Sequence, residues 1–88
     1  MVSKTVTVVN SQGFHMRPAA AFAAEMGKFK SHILLESGGK SADGKSLMNI
    51  IAACIKCGAE VKVTASGEDE DAALEKAVSM IEAGLGET

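Results

Sequence analysis

The chain has 88 residues, enough for one hydrophobic core but not for two, so we expect a single domain over residues 1–88. It contains three Phe but no Trp or Tyr, and its net charge is −2, which argues against nucleic-acid binding. No segment has the length of a transmembrane helix or the apolar run of a signal peptide. We therefore expect a cytoplasmic protein without membrane insertion, whose cysteines are reduced.

Charge is distributed unevenly along the chain. Residues 1–66 contain eight Lys and Arg against four Asp and Glu, a formal charge of +4. Residues 67–88 contain one Lys against seven acids, a formal charge of −6. The positive part suits an acidic partner or a phosphorylated group.

Apolar patterns predict three elements in the first half of the chain. Residues 4–9 alternate as a half-buried strand does, and residues 10–13 have the composition of a turn. A helix then runs from Arg17 to Met26, with Pro18 in its first turn and Gly27 as its stop. A second strand follows at 32–37.

Four more elements complete the predicted order β-α-β-β-α-β-α. A short strand at 40–42 follows the turn at Gly38-Gly39, and a helix over 47–56 precedes the last strand at 60–66. The final helix starts among residues 68–71 and is ended by Gly84 and Gly86. We expect it to bury Leu74, Ala77, Val78 and Ile81. Few strands and a tight central turn favour an antiparallel sheet with helices on one face, an α+β domain.

Residues 39–46 satisfy the pattern G-x4-G-K-S of phosphate-binding loops. A nucleotide triphosphatase of that kind also needs a larger parallel sheet and a second strand that ends in a metal-binding Asp. The chain is too short for such a sheet, and its other strands end in VVN and TAS. We therefore interpret the segment as a hairpin followed by Ser46, which caps the next helix.

Cys54 and Cys57 form a C-x-x-C motif like that of small metal-trafficking domains. In those domains the pair lies in the loop that enters the first helix, where the helix N-terminus stabilises thiolates. Here the pair lies at the end of the second predicted helix, so we expect Cys54 to be half-buried in the core. A metal-trafficking domain remains an alternative function. We expect His32, at the start of a strand, to be exposed to solvent.

His15 stands at the predicted N-terminus of the first helix, where free N–H groups and the helix dipole bind anions. The same positive field, with Arg17 nearby, favours a neutral ring whose nitrogen is a nucleophile. Arg17 can neutralise phosphoryl oxygens, and Pro18 fixes the start of the helix. A nitrogen nucleophile, an anion-binding helix end and a guanidinium group are together the components of a phosphohistidine site.

Three segments carry a family resemblance: GFHMRPAA at 13–20, GKSLMNIIAACIKCGAEV at 44–61 and GEDEDAALEKAV at 67–78. In these segments, and in its length and element order, the chain resembles the HPr family. Members of this family are histidine phosphocarriers of the bacterial phosphoenolpyruvate:sugar phosphotransferase system. The resemblance covers essentially the whole chain.

The resemblance implies an open-faced β-sandwich, in which a four-stranded antiparallel sheet carries three helices on one face. It implies that Enzyme I, charged from phosphoenolpyruvate, phosphorylates Nδ1 of His15 and that Arg17 stabilises the phosphate. The phosphoryl group would then pass to sugar-specific IIA proteins or domains. We accordingly expect a covalent carrier and not an enzyme, and a monomer without cofactor or metal.

The resemblance also implies regulation at Ser46, which a dedicated kinase phosphorylates from ATP in many Gram-positive bacteria. A serine kinase/phosphorylase and a catabolite-control regulator are therefore further expected partners. The exposed apolar patch on which partners dock matches Leu47, Met48 and Ile51.

The chain departs from the commoner residues of the family at Phe14, Met16 and Asn49, which we place near the docking surfaces. Regulatory paralogues that lack the active histidine are excluded by His15. A nitrogen-signalling paralogue remains an alternative to a sugar phosphocarrier.

Overall fold

The computed structural model describes residues 1–9 and 13–85. Along the chain it contains β1 (Val2–Thr7), α1 (Met16–Met26), β2 (His32–Ser37), β3 (Lys40–Asp43), α2 (Leu47–Ala52), β4 (Glu60–Ser66) and α3 (Glu70–Glu82). The predicted order β-α-β-β-α-β-α and the α+β fold class are confirmed. Residues 10–12 of the turn predicted at 10–13, and the helix stop predicted at Gly86, lie outside the described residues.

The four strands form one antiparallel sheet in the order β1-β4-β2-β3. β4 is central because it pairs with both β1 and β2, and Val61 at its start lies opposite Val6. β2 pairs with β3 as a hairpin. Gly38 and Gly39 form its turn with φ of 57° and 81°, left-handed values that glycine adopts without strain.

Alternation along the strands directs every second side chain toward the helices. In β4, Val61, Val63 and Ala65 are buried, whereas Lys62 and Ser66 are exposed on the opposite, open face of the sheet. The helices complete the core with buried side chains that include Phe22, Met26, Ile50, Ala77 and Ile81. Within residues 1–9 and 13–85, no helix is long and apolar enough to cross a bilayer.

β1 begins and ends two residues earlier than the predicted strand at 4–9. Val8 is buried, and its N–H donates to the carbonyl oxygen of Ala59 over 2.9 Å, but the ladder with β4 ends where Thr7 lies opposite Glu60. The alternation of side chains continues through Val8. The alternation alone therefore could not show at which residue the pairing of β1 with β4 ends.

α2 has six residues and is shorter than the predicted helix at 47–56. Ala53 is its C-cap, and Cys54 has a φ of 52°, the left-handed conformation that commonly follows the last turn of a helix. The prediction that Cys54 is half-buried in the core is wrong, because Cys54 is exposed. Ile55, the next residue, is 4% exposed and occupies the core position instead.

α3 begins at Glu70, within the range that the sequence predicts. Ala77, Val78 and Ile81 are buried as expected, but the fourth fully buried position belongs to Ala73. Leu74, which we expected to be buried, is only partly buried and packs against the edge of the core.

Asp69 connects the start of α3 to the segment between α1 and β2. Its carboxylate accepts hydrogen bonds from the backbone N–H groups of Lys30 and Ser31, each over 2.9 Å, and from Ser31 Oγ over 2.5 Å. The hydroxyl of Ser31 and these N–H groups lower the pKa of Asp69 from 3.8 to about 2. Gly67 allows the close approach, because a Cβ at this position would lie 2.7 Å from Ser31 Oγ.

Candidate functional site

His15 is the N-cap residue of α1, which begins at Met16, one residue before the predicted start at Arg17. The prediction that His15 stands at the N-terminus of this helix is confirmed. Its backbone is extended, with φ of −81° and ψ of −175°, and its carbonyl oxygen accepts a hydrogen bond from Ala19 N over 3.0 Å. Pro18 fits the first turn because it has no N–H that would lack an acceptor. The N–H groups of Met16 and Arg17 precede the first intrahelical hydrogen bond, so they point out of the helix end beside His15.

The electrostatic environment at this helix end favours an anion. The first turn of α1 contains no Asp or Glu, so no acid in that turn neutralises the partial positive charge of the helix N-terminus. Arg17 adds a full positive charge in the same turn and is exposed to solvent. His15 itself is half-buried. A phosphoryl group on its ring would therefore lie close to backbone donors and to a guanidinium group.

Residues 54–59 form backbone hydrogen bonds with Phe14, directly before His15, and with Val8, directly after β1. Phe14 N donates to the carbonyl oxygen of Ile55 over 2.9 Å, and Gly58 N donates to that of Val8 over 2.8 Å. Gly13 has a φ of 62°, and a Cβ there would lie 2.5 Å from the carbonyl oxygen of Ile55. Glycine is therefore required at this position. The backbone that leads to His15 is held by contacts with residues much later in the sequence.

Phe14 is part of the core. It is 4% exposed and packs edge-to-face on Phe22, with ring centroids 5.3 Å apart and an angle of 87° between the rings. Phe14 itself therefore offers almost no surface to a partner, and its expected nearness to a docking surface stays a prediction. Met16, by contrast, is 62% exposed beside His15.

Ser46 is the N-cap of α2, which confirms the interpretation of the GKS segment. Its Oγ accepts hydrogen bonds from the backbone N–H of Asn49 over 3.3 Å and from Nδ2 of Asn49 over 3.2 Å. Ser46 is half-buried, and Asn49 is exposed. The sequence predicted the backbone cap, but it gave no indication that the side chain of Asn49 also contacts Ser46.

Lys45 is not placed as the lysine of a phosphate-binding loop would be. Its Nζ donates to the carbonyl oxygen of Phe29 over 2.6 Å, and its N–H donates to Oδ1 of Asp43 over 2.9 Å. Gly44 is held against β2, since its N–H donates to the carbonyl oxygen of Ile33 over 2.7 Å. The segment therefore fastens the β3–α2 connection to the body of the protein.

The predicted docking residues lie on α2, which packs against α1. Met48 is 73% exposed, while Leu47 and Ile51 are partly buried against the core. An apolar surface therefore starts directly after Ser46. We call Leu47, Met48 and Ile51 the α2 patch.

Cys54 and Cys57 are both exposed free thiols in the segment between α2 and β4. Cys57 Sγ lies 4.0 Å from the carbonyl oxygen of Val9. In the described ranges, no three or more His, Cys, Asp and Glu side chains form a group that could hold a metal ion. His32 is exposed, as we expected.

A protein-family model described as the PTS HPr component phosphorylation site matches residues 2–83. The chain belongs to the HPr family. This finding confirms the resemblance that the sequence shows, and it favours a phosphocarrier over a metal-trafficking domain.

Curated relatives agree with the family match. The chain is 43% identical to the phosphocarrier protein HPr of Haemophilus influenzae over 81 residues, which cover 92% of this chain and 95% of the relative. It is 39% identical to the HPr-like protein Crh of Bacillus subtilis, with 93% and 96% of the two chains covered.

Solved structures show the same fold. HPr of Thermoanaerobacter tengcongensis superposes with a TM-score of 0.95 at 38% identity, covering 100% of this chain and 99% of that one. A dimer of HPr from the same species gives a TM-score of 0.77, also at 38% identity, with 99% and 100% covered. The open-faced sheet with three helices is therefore the HPr fold.

Proposed function

We propose that this chain carries a phosphoryl group on Nδ1 of His15, between phosphorylated Enzyme I and sugar-specific IIA proteins. Family membership supports the phosphocarrier role. The position of His15, at the N-terminus of α1 with Arg17 in the same turn, is the observation that carries the assignment to this residue.

The transfer needs a nitrogen lone pair and a stabilised anion. The Nδ1 lone pair forms a bond to phosphorus, and the bond between phosphorus and its donor atom on Enzyme I breaks. The helix N-terminus and Arg17 attract the phosphoryl oxygens without forming a covalent bond to them. The group therefore remains transferable to an acceptor, so the chain acts as a carrier that is modified once per transfer.

Incubation with phosphoenolpyruvate and Enzyme I, followed by intact mass measurement, tests this function. We expect one phosphoryl group per chain, labile in acid and stable in base, as is typical of a phosphoramidate. His15→Ala should abolish the modification and leave the circular dichroism spectrum unchanged. His32→Ala is the matched control and should be phosphorylated at the wild-type rate. A phosphorylated His15→Ala variant would overturn the assignment.

We further propose that the α2 patch contacts these partners and that Ser46 is a regulatory phosphorylation site. Support comes from the position of Ser46 directly before Leu47 and two residues before exposed Met48, because a phosphate on Ser46 would place about −1.5 to −2 charges at the rim of the patch. Incubation with ATP and an HPr serine kinase should phosphorylate the wild type but not Ser46→Ala. Equal phosphorylation of both proteins would place the modification on another residue.

A further inference from the structure

The two hydrogen bonds that Ser46 Oγ accepts from Asn49 fill both acceptor positions of the hydroxyl. Backbone N and side-chain Nδ2 of Asn49 lie 3.3 and 3.2 Å from Oγ. A serine hydroxyl has one proton and two lone pairs. With both lone pairs directed at Asn49, neither is available to attack an electrophile until one of these hydrogen bonds is broken.

The charged side chains close to Ser46 in sequence, those of Lys45 and Asp43, form hydrogen bonds with other residues. Lys45 Nζ donates to the carbonyl oxygen of Phe29, and the carboxylate of Asp43 accepts the N–H of Lys45. The backbone bond from Asn49 is the ordinary cap of the first turn of α2. The side-chain bond from Nδ2 is additional, since the helix does not need it to begin.

We propose that Asn49 is a positioning residue that restrains Ser46 as a phosphoryl acceptor. This inference rests on the proposed regulatory phosphorylation of Ser46. Asn49 is one of the positions where this chain departs from the common family residues. In this proposal its side chain controls the rate at which Ser46 is phosphorylated.

The chemistry of phosphorylation shows why the contact matters. A lone pair of Ser46 Oγ must form a bond to the γ-phosphorus of ATP, while the bond from that phosphorus to the bridging oxygen breaks and ADP leaves. The hydroxyl proton passes to a base of the kinase. A lone pair that accepts a hydrogen bond from Nδ2 is not directed at phosphorus, so the side chain of Asn49 must first turn away. The backbone cap can remain.

Removing the side-chain amide should therefore raise kcat for Ser46 phosphorylation while KM stays near its wild-type value. We expect a two- to tenfold rise, which corresponds to about 0.4–1.4 kcal/mol of activation free energy and is the size of one net hydrogen bond. The exposure of Asn49 keeps the effect within this range, because water can replace the lost donor.

Two substitutions separate hydrogen bonding from crowding. Asn49→Ala removes the whole amide, whereas Asn49→Leu keeps a side chain of similar size without a donor. The wild type and both variants are incubated with ATP and an HPr serine kinase, and initial rates are measured over a range of carrier concentrations. Both variants should show the raised kcat. Melting temperatures are recorded in parallel, because a merely structural role would change stability and leave kcat unaffected.

A spectroscopic measurement checks the contact without any kinase. In 15N-labelled protein, Ser46→Ala should shift the side-chain amide signals of Asn49. Asn10, the only other asparagine of the chain, provides an internal reference.

Each outcome decides the inference. Faster phosphorylation of both variants supports it. A raised kcat for Asn49→Ala but not Asn49→Leu would identify crowding as the cause and overturn it. Equal rates for all three proteins would overturn it while leaving Ser46 as the phosphorylation site. If even the wild type acquires no phosphate on Ser46, the proposed regulation fails and this inference fails with it.

Discussion

Arg17 lies in the first turn of α1, directly after the N-cap His15 and Met16, and is exposed there. Lysine keeps the positive charge but lacks the planar guanidinium fork that binds two phosphoryl oxygens at once. We therefore expect Arg17→Lys to retain part of the rate of phosphotransfer from Enzyme I, and Arg17→Glu to lose most of it. Initial rates measured by intact mass check the order.

A matched control addresses net charge. Lys76→Glu, on the exposed side of α3, changes the net charge by the same −2 as Arg17→Glu. It should transfer at close to the wild-type rate. Similar losses in both glutamate variants would mean that Arg17 contributes only to the overall charge of the protein.

Cys54 holds a left-handed backbone conformation, with φ of 52°, at an exposed position. For residues with a Cβ this conformation costs about 1–2 kcal/mol, whereas glycine adopts it freely. Glycine loses more entropy on folding, so we expect Cys54→Gly to raise the free energy of unfolding by a net amount of about 0.5–1 kcal/mol. Urea unfolding measures the change. Cys54→Ala keeps the strain and should stay near wild type, and an equal gain in both variants would attribute the effect to loss of the thiol.

Among the elements, α2 shows most clearly what sequence patterns can and cannot predict. Its start was predictable because Ser46 is a preferred N-cap residue followed by an apolar run. Its end was not, because the left-handed residue that ends such a helix is usually glycine, and here it is Cys54. The apolar spacing continues through Ile55. This residue is buried, but it lies in the segment after the helix and not in the helix itself.

The candidate site divides in a similar way. The place of His15 and Arg17 at the start of a helix was predictable, because it depends on local properties of the sequence. The backbone hydrogen bonds of Ile55 and Gly58 were not predictable. They join residues far apart in the sequence and depend on how the strands pair in the folded protein. Gly13 was the available indication, since a glycine just before a functional residue often allows a close backbone contact.

Because Asp69 is linked to Ser31 by hydrogen bonds, we expect the stability of the protein to depend on pH in the acid range. These hydrogen bonds lower the pKa of Asp69 from 3.8 to about 2. Because the folded-state pKa is below the unfolded value, the stabilisation is fully present above about pH 4 and is lost as the pH falls toward 2. Asp69→Asn should therefore be less stable than wild type at neutral pH, and the two proteins should converge in acid.

Melting temperatures between pH 2 and pH 7 test this expectation. Glu68→Gln serves as the control, because it also removes one exposed acid just before α3 but leaves the hydrogen bonds to Ser31 intact. It should follow the wild-type curve. A constant difference between Asp69→Asn and wild type at every pH would show that shape, and not ionisation, accounts for the loss.

At the scale of the whole molecule, we expect the charge at Ser46 to influence the proposed docking of partners. Residues 1–66 carry a formal charge of +4, so a partner that recognises this part of the chain is expected to be acidic. Ser46→Asp places a negative charge beside the α2 patch and should repel such a partner. We expect KM for phosphorylation by Enzyme I to rise roughly fivefold at low salt, equivalent to about 1 kcal/mol, with little change in kcat.

Salt dependence distinguishes this mechanism from a change in structure. The rise in KM should shrink at moderate ionic strength, because salt screens interactions between exposed charges. The melting temperature of Ser46→Asp should stay near that of wild type, since Asp is also a good N-cap residue. Ser46→Ala is the uncharged control. A destabilised Asp variant that docks normally would limit Ser46 to the role of a helix cap.

The central position of β4 has a consequence for the order in which a newly made chain matures. β1 is synthesised first, yet its partner in the sheet is residues 60–66, so it waits unpaired until most of the polypeptide exists. Before then, the β2–β3 hairpin is the pairing that residues 32–43 can form by themselves. The backbone before His15 likewise awaits Ile55 and Gly58. A truncated translation product therefore contains His15 without these backbone contacts, and we expect competence for the proposed transfer only after the whole sheet has assembled.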